Sequence, residues 1–85
     1  MDELREFLDN CTVKCPASRI RANILYGAYE QFTKENGDRP MKQKTFGRYL
    51  SVRGFDKKRD SKGFIYESIA LSEYGRRLAG LSVGL

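Results

Sequence analysis

The stretch KTFGRYLSVRGFDKKRDSKGF, Lys44 to Phe64, decides how this chain is read. It opens as an amphipathic helix, stops at Gly54, and becomes a short run crowded with positive charge. Phe46 and Leu50 are four apart and so share one helical face, with Tyr49 beside them. At roughly 100° per residue, Lys44, Thr45, Arg48, Ser51 and Val52 fall on the opposite side. The spacing predicts a helix from about Lys42 to Arg53, closed by Gly54. Gly47 lies inside it at a cost of about 1 kcal/mol relative to alanine, which makes sense if another backbone packs closely there. Beyond Gly54, Phe55 to Arg59 reads as a strand and Asp60-Ser61-Lys62-Gly63 as a tight turn. Phe64 to Leu71 reads as a second strand rich in β-formers, so the segment is a hairpin with a basic tip.

Working outward, Leu4, Phe7, Leu8 and Cys11 are spaced for a short first helix, with Asp2 and Glu3 suited to its N-terminal dipole. Pro16 is expected to break that helix, and Ile20 and Ala22 alternate with Arg19 and Arg21 as in a short strand. Asn23 is the expected N-cap of a second helix, whose inward stripe is Leu25, Ala28, Tyr29 and Phe32. Asn36-Gly37 ends it, and the DRP that follows is a brief turn. After the hairpin, Ser72 is placed to cap a last helix with Tyr74, Leu78 and Leu81 inward, before a frayed SVGL tail. The order is helix, short strand, two helices, hairpin, helix. That is an α+β chain with the arrangement of a winged helix-turn-helix.

Eighty-five residues make one domain over 1–85, with a small core. No run of roughly 18 apolar residues is present, so no membrane span is expected, and MDELREF is unlike a signal peptide. Cys11 and Cys15 have no histidine to complete a four-ligand zinc site, and they read as reduced thiols of a cytoplasmic protein. No Walker-type loop, Ser/His pair or Cys/His pair is present, so no catalytic residue, metal or cofactor is assigned. Asp56 and Asp60 flank the basic run. They suit turn and strand-end chemistry better than a Mg²⁺ site. Phe64 and Tyr66 are assigned to core packing, with stacking on single-stranded bases as the alternative.

The net charge is +5, and it is unevenly spread. Acids and bases nearly cancel from Met1 to Met41. From Lys42 to Lys62 the bases 42, 44, 48, 53, 57, 58, 59 and 62 face only Asp56 and Asp60. Clustered cations mark a polyanion binder. The third helix is expected to enter the major groove of DNA, with Lys42, Gln43, Lys44, Thr45 and Arg48 as its DNA-binding residues. Arg48 suits a bidentate pair with guanine. Lys57, Lys58, Arg59 and Lys62 on the wing are expected to hold phosphates, giving affinity without sequence choice. All these cations are expected to form one continuous surface.

Tyr26 and Tyr29, the ENG of Glu35 to Gly37 with Pro40, FGRYL at 46–50, RGF at 53–55, KKR at 57–59, Gly63 and SIAL at 68–71 together resemble a known family. They are similar to the small C-terminal domain of phage, plasmid and mobile-element primase-helicases, a domain also found in a poxviral primase-NTPase. The resemblance covers about Ile20 to Leu71. It implies a winged helix that binds origin or forked DNA for an attached superfamily 3 helicase, as the C-terminal part of a larger replication protein. The helicase motifs are not in this chain. It departs from the pattern at Lys42, where such domains often have a capping serine, and at Ser68, where they often have glycine. A small winged-helix transcriptional regulator and a protein-interaction winged helix are the alternative readings.

Overall fold

The computed structural model describes residues 3–80, so Asp2, Leu81 and the SVGL tail lie outside the described residues. Within them the chain is an α+β globule of four helices and one three-stranded antiparallel sheet. The elements are α1 (Glu3–Cys11), β1 (Thr12–Arg21), α2 (Ala22–Glu35), α3 (Gln43–Val52), β2 (Lys57–Asp60), β3 (Gly63–Leu71) and α4 (Glu73–Leu78). The sheet order is β1-β3-β2, which leaves β1 and β2 as edges.

The helical stripes bury as their spacing predicts. Leu4, Phe7 and Cys11 of α1 meet Leu25, Ala28, Tyr29 and Phe32 of α2, and Phe46 and Leu50 of α3 close over them. Aromatic rings dominate this contact. Tyr29 stacks on Phe46 with centroids 4.6 Å apart, and Phe7 meets Tyr29 edge-on at 5.6 Å. Fully burying a side chain of the size of Phe7 stabilises the fold by about 2–3 kcal/mol. Tyr49 lies off this stripe. It is exposed, as is Val52, because a step of 100° from Leu50 carries it past the edge of the core.

The turn between α2 and α3 is held by tyrosines. Asn36 caps α2 and Gly37 takes φ +79°, the left-handed conformation expected of it. Two residues before α3, the Met41 backbone is gripped at both polar groups. The Tyr26 hydroxyl donates to its carbonyl oxygen at 2.6 Å, and its N–H donates to the Tyr29 hydroxyl at 3.1 Å. Burial, with Glu30 as a lesser cause, raises the Tyr26 phenol above its ordinary pKa, so the donor keeps its proton at neutral pH. The backbone of the segment that leads into α3 is thus satisfied from α2.

Several local expectations are corrected. β1 is ten residues long and begins directly after Cys11, so α1 ends well before Pro16. Pro16 lies instead in a bulge. Lys14 pairs with Ile69 and Arg19 with Glu67, which leaves Cys15 to Ser18 opposite Ser68 alone. A bulge on an edge strand is where a residue without an N–H can sit. Ala22 is the buried first residue of α2 rather than a strand residue. Arg21, in extended conformation and paired with Ile65, holds the cap position assigned to Asn23. The strand runs straight into the helix and leaves no turn for a side-chain cap.

Ser68 has φ +64°, a conformation that normally favours glycine. Its effect is visible in the core. Tyr66 and Ile69 are three apart, and strict alternation would aim them at opposite faces. Both are buried in the one core, with Leu71. The left-handed residue between them resets the alternation.

At the far end, Ser72 caps α4 as expected, its hydroxyl accepting from the Gly75 N–H at 3.2 Å. The same hydroxyl donates to the Asn10 carbonyl, and the Ser72 N–H donates to the Cys11 carbonyl at 2.8 Å. Gly75 packs so closely on the end of α1 that an added Cβ would collide with the Cys11 carbonyl oxygen. That approach turns Gly75 inward and its neighbour Tyr74 outward. Tyr74 is therefore exposed, contrary to its expected inward role, while Leu78 packs on the core as expected.

Candidate functional site

The basic residues of α3 and of the hairpin meet at a cleft. Gln43, Lys44, Phe46 and Gly47 form its α3 wall, Lys57, Phe64 and Tyr66 its sheet wall, and Ala22 closes the back. Its volume is about 370 Å³. α3 reaches the sheet here because Gly47 has no side chain. A Cβ at that position would lie 3.0 Å from the Tyr66 hydroxyl and 3.6 Å from Lys57 Nζ. The expected reason for this glycine was a neighbouring backbone. The neighbours are instead two side chains, one buried and one cationic.

The strand period sorts the hairpin cations. Lys57 pairs with Tyr66 and Arg59 with Phe64, so these four share the face that turns toward α3. Lys57 Nζ stands 4.7 Å from the Phe64 ring centroid and Arg59 Cζ 5.8 Å from it. Lys58, opposite Ile65, points to the other side of the sheet and pairs with Glu67 at 3.5 Å. The expected single surface is therefore corrected at Lys58. Alternation sends the middle residue of KKR away from α3.

The tip of the hairpin has its own frame. Asp60 pairs with Gly63, leaving Ser61 and Lys62 as the turn, and the Lys62 N–H donates to the Asp60 carboxylate at 2.8 Å. Arg21, on the opposite edge strand, reaches across β3 to the same carboxylate at 3.1 Å. The Arg21 hydrogen bond first, then the turn N–H, hold the Asp60 pKa below its ordinary value. The aspartate thus serves the turn, as its position suggested. Lys62 is exposed at the tip.

On α3, Lys42 occupies the N-cap without a side-chain cap. The Gln43 amide donates to the Asn23 side chain at 3.0 Å, which ties the start of α3 to the start of α2. Lys44 and Arg48 are exposed one turn apart, and Thr45 is half-buried. Lys44, Gln43 and Lys57 are thus brought to one cleft, with Arg59 next along the sheet and Arg48 one turn down the helix. Lys58 is separated from them.

Sequence reasoning missed two contributors and held the third, Phe64, only as an alternative. Phe64, expected in the core, is 46% exposed beside the cleft, whereas Tyr66 on the same face is buried. Its place next to the turn was the available signal, since the helical layer ends before the hairpin does. The Arg21–Asp60 brace joins residues 39 apart and leaves no local mark. The hold of Tyr26 and Tyr29 on Met41 was present only as two members of a motif. Elsewhere the thiols are quiet. Cys11 and Cys15 are unbonded, and burial, with Glu35 adding to it, pushes the Cys11 pKa up to about 11. Among the described residues no cluster of three potential metal ligands occurs, and no helix is long and apolar enough to cross a membrane.

A family model described as poxvirus D5 protein-like matches residues 1–73. The chain belongs to the poxvirus D5 protein-like family. The match runs from α1 through the whole hairpin, so the D5-like region includes the cleft and both of its walls. It agrees with the resemblance carried by the ENG, FGRYL, RGF and KKR segments. No curated protein and no solved structure matches this D5-like chain.

Proposed function

We propose that this D5-like chain is a winged-helix DNA-binding module of a primase-helicase of the phage, plasmid or mobile-element type. In this reading α3 is the recognition helix, β2 and β3 are the wing, and the chain forms the non-catalytic C-terminal part of a cytoplasmic replication protein that carries a superfamily 3 helicase domain. One observation supports it above the others: Lys44 of α3 and Lys57 of β2 line the same cleft, although 13 positions separate them. Cations brought together from two elements give the backbone of a nucleic acid a continuous track. The remaining groups divide by reach. Arg48 faces outward from α3, where a guanidinium can meet a guanine edge. Arg59 and Lys62 extend the track along the wing to phosphates. The membership in the D5-like family supplies the replication context.

Anisotropy titrations of a labelled duplex across a salt series test this reading. Wild type binds at low salt, with log K falling linearly against log salt. Lys57→Ala with Arg59→Ala weakens binding to every sequence alike and flattens that slope by about one unit for each phosphate no longer neutralised. Arg48→Ala instead costs about 1–3 kcal/mol at a preferred sequence only. Failure of the wild-type chain to bind duplex or fork at low salt would sink the proposal and favour a protein-interaction role.

A further inference from the structure

We propose that the cleft between α3 and the hairpin receives one unpaired nucleotide, its base against Phe64 and its phosphate between Lys57 and Lys44. This rests on the DNA-binding reading and deepens it by naming what the cleft itself holds. The volume, about 370 Å³, is in the range of roughly 300–1,000 Å³ found for small-ligand sites. Buried Phe46 and Tyr66 give the two walls an aromatic lining. Phe64 forms an outer wall with nearly half of its surface in water, and two cations stand over its ring. An exposed aromatic platform beside clustered positive charge is the pair of features that single-strand binding surfaces combine.

The chemistry selects the occupant. A flat, polarisable ring that carries an anion matches an aromatic wall flanked by ammonium groups. The Gln43 amide, one hydrogen of which is held by Asn23, keeps its carbonyl oxygen for the edge of a base. The nucleotide must be unpaired, because a base within a duplex has both faces covered by its neighbours and offers none to Phe64. Lys57 stands at the throat, with its Nζ close to both Gly47 and the Phe64 ring. Its flexible stem lets the ammonium leave the ring for an incoming phosphate.

The test uses the full chain with two probes of the same sequence. One is a fork carrying 2-aminopurine at the first unpaired position, and the other is the fully paired duplex. Phe64→Ala weakens fork binding roughly 5- to 150-fold, leaves duplex binding within about twofold, and abolishes the change in 2-aminopurine emission. Phe64→Leu, which keeps apolar bulk on the hairpin but has no ring face, gives the same result. Equal losses on fork and duplex, unchanged binding to both, or rescue by leucine would each overturn the stacking site while leaving DNA binding intact. Wild-type protein that binds neither probe would overturn both readings.

Discussion

The two ends of this molecule are built on opposite principles. Where α1 and α4 meet, contact is close and mostly between backbones: Gly75 sits on the Cys11 carbonyl, the Ser72 N–H donates to that same carbonyl, and the short Ser72 hydroxyl donates to the Asn10 carbonyl. Where α3 meets the hairpin, contact is side chain to backbone across a cleft, through Tyr66 and Lys57 at Gly47. Close-packed interiors hold one arrangement and resist any added atom. A cleft lined by long cationic side chains leaves room for a partner and for the side chains to move toward it. The difference teaches that the close-packed end and the open, cation-lined end are separate parts of the molecule, with Phe46 linking them: it lines the cleft and meets Phe7 of α1 at 6.2 Å.

Three changes break or sharpen that contrast. The largest effect is expected at the close-packed end. Gly75→Ala forces a methyl group against the Cys11 carbonyl and lowers unfolding stability by about 3 kcal/mol in urea titrations. On the proposed DNA-binding reading, chain that remains folded keeps its affinity for DNA. A loss of affinity in the folded fraction would mean that the two ends are not separate.

The next effect is smaller and opposite in sign. Ser68→Gly relieves the left-handed backbone at φ +64°, and the gain is offset in part by the greater freedom of glycine in the unfolded chain. A net stabilisation of about 0.5–1 kcal/mol is expected, read as a higher denaturation midpoint with an unchanged slope. Destabilisation would show that the Ser68 side chain matters more than its backbone.

The smallest effect lies at the hairpin tip and depends on pH. Asp60 has a depressed pKa in the folded chain, so its contribution is complete above its unfolded value. It fades as pH falls through the lower folded value. Protection of the β2 amides, taken relative to their intrinsic exchange rate at each pH, should therefore fall below about pH 4 in wild type while α1 and α4 remain protected. Asp60→Asn should exchange faster at neutral pH and lose this acid-dependent step. An unaltered profile would remove the brace from the account of the hairpin.

The legible parts of the fold were those with a local cause. Gly37, Gly54, the Asp60–Gly63 turn and the Ser72 cap each mark a backbone event within a few residues, and the structure has all four. The length of β1 was not legible, because Lys14, Cys15 and Pro16 belong to an edge strand whose pairing partner lies more than fifty positions away. The candidate site was legible as a density of charge but not as an arrangement. Lys57 and Lys58 are neighbours in sequence and look away from each other, which the period of two already contained. Phe64 and Tyr66 share a face and differ in burial, and that depends on how far the helical layer extends over the sheet. Such an extent is a property of packing, which no window of sequence holds.

Asp60 stands at the tip of the basic hairpin, where a bare carboxylate would push any phosphate away. The guanidinium of Arg21 comes to it from the opposite edge of the sheet. If the hairpin lies along DNA, it arrives there with its aspartate already neutralised. The turn keeps the residue its shape requires, and the repulsion is cancelled before any ligand approaches.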